Sequence, residues 1–432
     1  MTDYIWHDDN YDKRIQLTID SSKVDEDLID FPVLIHLSND SGITHADVTS
    51  VFEELTISGS RTKIAVYTVS GTEDVQCYTE IDKWIVTASG VGESWLWVKV
   101  PTVSSGVDTH LYLYYDKDAP DNTSYVGDTN SFTASQVWTN DFELVYHMSN
   151  ASDTTVYDST NNSYDGTKTA SNLPVEVEGM IGNAQSYLDA GEGRIQTVNN
   201  TFKETNDFTV EALINPDTIS TYRGIVYRGK GSSGQHDFMC TITTGGYIQW
   251  WSTNWAQATN PVVVTGAWQQ ISWVKSSNII EYFYNGYKDS QDTVATPNYR
   301  TDYPTNVGWW SSSYDYDGDI GEVRLSSCVR SPAWLETTYY SNFDNLITFG
   351  SEEPKPSFIF NGYVKVNYSP AERTVYLYHR STGALVGSAV SDPSTGYFEI
   401  PTPFNDYHFV NILPELVEDY NIIVHDKIEQ GS

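Results

Sequence analysis

Short runs rich in β-branched and aromatic residues, with a period of two, recur along the whole chain: WLWVKV at 95–100, LYLYY at 111–115, ISWVK at 271–275 and TVYLY at 374–378. Period-two alternation in β-branched and aromatic residues is the signature of strands, and clusters of Gly, Asn, Asp and Pro cut the runs apart. Helical character is confined to a short stretch around 332–340, PAWLETTYY. Many short strands joined by polar turns make β-sandwiches. The expected fold class is all-β, with three β-sandwich domains in series. A chain of 432 residues can give each of them a core without disulfide help. Its 14% aromatic and 19% charged residues exclude disorder for the bulk of the chain.

Two breaks divide the pattern. Residues 116–130 (DKDAPDNTSYVGDTN) are polar and turn-rich, and 351–357 (SEEPKPS) are charged and proline-bearing, which suits a stiff linker. The expected domains are 1–128, 129–352 and 358–432.

With 24 Lys and Arg against 58 Asp and Glu, the formal charge is −34. Phosphate backbones and anionic membrane surfaces would repel such a chain, so nucleic acid is not an expected partner. Neutral polymers such as glycans, metal cations and other proteins remain. Cys77, Cys240 and Cys328 are odd in number and have no CxxC spacing, so packed thiols are expected in place of a disulfide framework or zinc site. No apolar run approaches the roughly 20 residues of a membrane helix, so no membrane insertion is expected. The first residues show neither a basic nor an apolar signal region, which leads us to expect synthesis in a host cytoplasm without a signal peptide.

Three resemblances follow from longer stretches. KVDEDLIDFPVLI at 23–35, WLWVKVP at 95–101 and THLYLYY at 109–115 together resemble an uncharacterised β-rich domain of bacterial, archaeal and phage surface proteins. VYHM at 145–148, DSTNNSYDG at 158–166, GMIGNA at 179–184, FTVEA at 208–212, WQQI at 268–271, YNG at 284–286 and DIGEVRLS at 319–326 resemble a concanavalin A-like, laminin-G-type jelly roll. That resemblance implies a sandwich that binds glycans or proteins through its loops, frequently beside calcium. One departure is Gly321, where the family commonly carries an aspartate. GYVK at 362–365, AERTVYLY at 371–378, TGALVG at 382–387, SDPSTGYF at 391–398 and EDYNIIVHDK at 418–427 resemble a transthyretin-like, carboxypeptidase-regulatory-type sandwich of the kind attached to tailed-phage virion proteins. It implies a docking unit.

Few constellations carry chemistry. Glu80 and Asp82 share a strand face and invite comparison with the paired carboxylates of jelly-roll glucanases, but Ile85 and Val86 stand where the acid is needed. His147, within an apolar strand, reads as a satisfied core residue more readily than as a base. No GxSxG, HExxH, Walker or GxGxxG motif is present, so no catalytic residue is assigned. Calcium takes six to eight oxygens from carboxylates and carbonyls. Asp158 and Asp165 in an Asx-rich loop, with Asp317 and Asp319 in an acidic run, are the metal candidates; turn carboxylates with no metal role are the competing reading. Trp250, Trp251, Trp255, Trp309, Trp310, Tyr314 and Tyr316 form the candidate ligand site. Adjacent tryptophans on a strand point to opposite faces, so one of each pair leaves the core. Sugar stacking, a protein partner and plain packing all remain open for them.

The expected function is non-enzymatic: a structural and adhesive protein on the surface of a tailed-phage virion, as a tail-fibre, receptor-binding or head-decoration component. Its partners would be other virion proteins and a host-surface glycan or protein, with homo-oligomers expected from virion symmetry. A cell-surface adhesin of a bacterium or archaeon is the alternative, and a glycan depolymerase a more distant one.

Overall fold

The structure is a computed structural model that describes the chain except residues 1–5, 71–72, 88–91, 153, 170–171, 190, 199–206, 231–235, 296–302, 312–313, 357, 367, 381, 404–407, 413–422 and 429–432. It is nearly all β. The chain divides into two compact units, one of residues 15–351 and one made of 1–14 with 352–432.

The larger unit contains two sandwiches. In the first, Leu28–Leu37, Gly92–Val103, Thr79–Val86 and Val126–Asp128 form a four-stranded sheet in that order. It faces a five-stranded sheet ordered Ile347–Pro354, Lys13–Ile19, Thr109–Tyr115, Ile64–Ser70 and Glu73–Cys77. The outer strand of that second sheet comes from the far side of the jelly roll, which ties the two sandwiches together through the backbone. Along Gly92–Val103 the alternation fails: Trp95, Leu96, Trp97 and Val98 are all buried. A strand buried on both faces has no solvent side to keep polar. Leu96 and Val98 enter the first core, while Trp97 turns outward onto the jelly roll and stacks on His147 at 5.6 Å.

The jelly roll pairs an eight-stranded sheet with a nine-stranded one. The first runs Val175–Glu178, Asn183–Tyr187, Gly318–Ser326, Phe208–Pro216, Gln269–Ser276, Ile279–Tyr284 and Tyr287–Thr293, with Phe142–Tyr146 also paired to Gly318–Ser326. The second ends in Arg223–Gly229, His236–Ile242, Tyr247–Trp251 and Trp255–Pro261. Phe208, Phe238, Trp250, Ile271, Trp273 and Val323 fill the space between. The helical stretch seen in the sequence is the helix Pro332–Asn342. Proline at its start and the Ser331 hydroxyl, which accepts from Trp334 N at 3.1 Å, fix its first turn. It packs on the first sandwich, Trp334 meeting Phe31 edge-on at 4.8 Å.

The smaller unit has its own core of Phe360, Val364, Val375, Leu377, Phe398, Ile400 and Val410. Its strands Leu385–Val390, Thr374–His379, His408–Ile412 and Ile423–Ile428 pair in that order, and Phe358–Tyr363 pairs with Tyr397–Thr402. The DPSTG segment is a turn closed by Asp392, whose carboxylate accepts from Ser394 N and Thr395 N at 2.9 and 2.7 Å. The RSTG segment at 380–383 includes residue 381, outside the described residues; Gly383 has φ +70° and donates to His379 O at 2.8 Å.

Asp158 is a strut of the jelly roll. Its Oδ1 accepts from Val145 N and Thr160 N at 3.0 and 3.1 Å, and its Oδ2 from Tyr164 N and the Thr160 hydroxyl, both at 2.8 Å. Burial still pushes its carboxyl up to about 6 against those donors. Leaving several buried N–H groups without an acceptor costs on the order of 1–3 kcal/mol for each. Asp158→Ala is therefore expected to destabilise the 15–351 unit by about 3 kcal/mol in urea denaturation and to leave the 352–432 transition in place.

Candidate functional site

The outer face of the nine-stranded sheet carries an aromatic surface built from strand geometry and two glycines. Trp250 turns inward, fully buried and stacked on Phe238 at 5.4 Å, so Trp251 turns outward. Cross-strand pairing sets Trp251 opposite Trp255, with ring centroids 6.1 Å apart. Gly308 and Tyr314 are laid against Arg223–Gly229: Gly308 N donates to Ile225 O at 2.9 Å and Gly224 N to Tyr314 O at 3.1 Å. A Cβ on Gly224 would sit 2.9 Å from the backbone of Trp309 and Trp310, and Gly308 has φ +82° with the Tyr187 ring where a Cβ would go. Only glycine permits this approach and turn.

Trp310 then stacks on Tyr314 at 4.4 Å and meets Trp255 at 5.4 Å, while Tyr222 touches Tyr314 and Trp255 at 5.7 and 6.4 Å. Trp255 is 46% exposed; Trp251, Trp310, Tyr314 and Tyr222 are partly buried around it. Beneath them Tyr227, Met239 and Trp309 pack together, and the Arg194 guanidinium lies 4.3 Å over the Trp309 ring. The result is a continuous aromatic surface with a wet edge, able to stack on flat apolar faces such as those of sugar rings.

Three of the seven sequence candidates are corrected. Trp250 and Tyr316 have no exposure and belong to the core, Trp250 between Phe208 and Phe238, Tyr316 against Tyr187. Trp309 is a buried support. Tyr222 joins the surface although no local pattern in the sequence singled it out.

The four acidic candidates do not come together. Asp158 is bound to Val145, whose strand partner is Arg324; Asp317 precedes the strand Gly318–Ser326 at its far end, about 20 Å away at roughly 3.3 Å per residue. Asp165 accepts from Asp158 N at 2.9 Å and holds the Asx loop. Asp317 accepts from Asp189 N at 3.1 Å and from the Thr218 hydroxyl at 2.8 Å. The fully buried Arg223 lies beside it, 3.0 Å from Asp189 and 3.5 Å from Asp317, and supplies positive charge within this acidic loop. Asp319, on the strand, is shifted upward by burial. At Gly321 a Cβ would come 3.2 Å from the Trp268 ring, so the ring lies against the backbone where the family commonly has an aspartate.

A second constellation lies between the two sandwiches. His147 is buried with Nδ1 2.8 Å from Glu322 Oε1 and Nε2 3.3 Å from Glu80 Oε2. Glu80, fully buried, also accepts from Thr129 Oγ1, Ser159 Oγ and Trp138 Nε1. Glu322 is held by Arg324, whose guanidinium covers the Trp97 ring at 4.3 Å. Burial opposes charge on Glu80, but His147 and these donors hold its carboxyl below the usual range. Burial likewise opposes charge on His147, and Glu322, Glu80 and Asp82 outweigh it, holding the imidazole well above its ordinary value. Asp82 occupies a bulge between Ile81 and Lys83 and accepts from Ser149 Oγ at 3.3 Å.

The comparisons with known proteins meet this geometry at the jelly roll. Residues 189–336 match the family model described as the concanavalin A-like lectin/glucanases superfamily. A concanavalin A-like jelly roll is present. Among solved structures, the chain is similar to domain 4 of AbnA, a GH43 extracellular arabinanase from Geobacillus stearothermophilus in complex with arabinotriose, at 17% identity and TM-score 0.38, covering 45% of this chain and 97% of that one. It is also similar to the binding domain of Paraclostridial Mosquitocidal Protein 1, at 11% identity and TM-score 0.38, over 67% and 73%. A third is the Ruminococcus gnavus IT-sialidase CBM40 bound to α2,3 sialyllactose, at 14% identity and TM-score 0.28, over 31% and 82%. No curated protein sequence matches the chain.

Breaking a buried ion pair by neutralising one partner typically costs about 3–5 kcal/mol, because the other charge is left uncompensated. Glu80→Gln is expected to lower the stability of the 15–351 unit by about that amount, read from its urea midpoint, with near-ultraviolet circular dichroism reporting loosened packing of Trp97 and Trp138.

Proposed function

We propose that this protein is a non-catalytic adhesive protein whose lectin-like domain binds a surface glycan on the aromatic face formed by Tyr222, Trp251, Trp255, Trp310 and Tyr314. The observation that carries the reading is the 46% exposure of Trp255 at the centre of rings that contact one another, on a sheet whose other face is a complete core. A large exposed ring in such a cluster is stabilised when a partner removes it from water. The lectin-like family of residues 189–336 supports the same reading. Glu80, the carboxylate that first suggested hydrolysis, is fully buried and committed to its donors and His147.

The setting we propose is the surface of a tailed-phage virion, supported by the resemblance of 358–432 to docking sandwiches of virion proteins.

The test is a glycan array probed with the whole chain, followed by titration of the best binder. Trp255→Ala and Trp310→Ala are each expected to weaken binding at least tenfold, about 1.4 kcal/mol, without lowering the melting temperature. Unchanged affinity in both variants would refute the assignment of this face.

A further inference from the structure

We propose that Asp82, His147 and Glu322 bind one divalent transition-metal ion, with zinc as the expected species, at the joint between the first sandwich and the jelly roll. Three strands deliver the donors. Asp82 comes from Thr79–Val86, His147 directly follows Phe142–Tyr146, and Glu322 lies in Gly318–Ser326. One donor atom from each lies within 4.8 Å of the others. In a tetrahedral zinc site with bonds of roughly 2.0–2.1 Å the donor atoms stand about 3.3 Å apart, so side-chain shifts of about 1 Å close the site.

Three further observations favour an ion over accidental crowding. The first is the bulge at Asp82. Ile81 pairs with Leu96 and Lys83 with Trp95, which leaves Asp82 without a cross-strand partner, and bulges commonly re-aim a side chain. The second is the state of its carboxylate. Asp82 Oδ2 is shielded from solvent and has no hydrogen-bond donor among the described residues, beside Gly182, where a Cβ would come within 2.8 Å of it. The third is the arrangement behind the histidine. Glu80 Oε2 faces His147 Nε2, leaving Nδ1 towards Glu322; a carboxylate behind the distal ring nitrogen is how metal-binding histidines are usually oriented. Arg324, bonded to Glu322 Oε2 at 3.2 Å from two of its nitrogens, fixes Glu322 in the same manner.

The ligand types, one imidazole and two carboxylates, suit zinc, cobalt or manganese better than calcium, which prefers oxygen alone. Because the ligands come from both sandwiches, the ion would hold them together.

The full chain, stripped with chelator and dialysed, is titrated with ZnCl2 by calorimetry and separately loaded with CoCl2 for visible absorption. One equivalent of zinc, a melting temperature raised by several degrees and the intense visible bands of tetrahedral cobalt are expected. Asp82→Asn, which removes a carboxylate charge but keeps its shape, is expected to weaken zinc binding at least tenfold and abolish the cobalt bands while the apo protein remains folded by circular dichroism. His147→Gln is expected to do the same, and if it fails to fold the Asp82 variant decides. No stoichiometric zinc uptake by the wild type would overturn the proposal. So would equal uptake by Asp82→Asn, since the ion would then sit on other carboxylates of this acidic chain.

Discussion

The larger unit depends on the buried run of charges Glu80, His147, Glu322 and Arg324. Alone, each would be expensive to take out of water, and their mutual attraction repays that cost only if the remaining hydrogen-bonding capacity is filled. It is filled: Glu80 accepts from two hydroxyls and an indole, and Arg324 spans Glu322 and the Trp97 and Trp138 rings. These side chains belong to two sandwiches that the sequence separates, so the joint exists only when both are folded. That explains why Trp97 and His147 are buried although each lies on the outer side of its own sheet. The backbone reinforces the joint, since the chain leaves the jelly roll through the helix Pro332–Asn342 and returns as a strand of the first sandwich.

With one face of the jelly roll occupied in this way, the aromatic surface lies on the opposite sheet. Its position is a matter of backbone more than of side chains. Gly224 admits Trp309 and Trp310 against its strand, Gly308 turns the chain just before them, and pleating places Trp251 outward because Trp250 is inward. The acidic loop beside it, with Asp189, Asp315 and Asp317, carries its own counter-charge in Arg223.

Local patterns were legible and distant pairings were not. Alternation located most strands, and the PAWL run with Ser331 before it marked the helix. The tryptophan pairs were readable as far as one inward and one outward ring. Which of the two points inward depends on the partner strand, and Tyr316 is in the core because Tyr187 meets it across the fold. Asp158 could equally have been a ligand or a turn residue, because both roles use the same oxygens; only the four donors around it decide. His147 was readable as a satisfied core residue, but its partners lie 67 and 175 residues away, beyond any spacing rule. Arg223 was invisible for the same reason.

The most direct measurement of ligand binding on the aromatic face is hydrogen–deuterium exchange of the whole chain, with and without the glycan that binds it most tightly. Slowed exchange confined to peptides covering 218–224, 247–256 and 308–316, with 79–86 and 358–363 unchanged, is the expected result. Protection that instead falls on the 352–432 unit, or on the first sandwich, would contradict it.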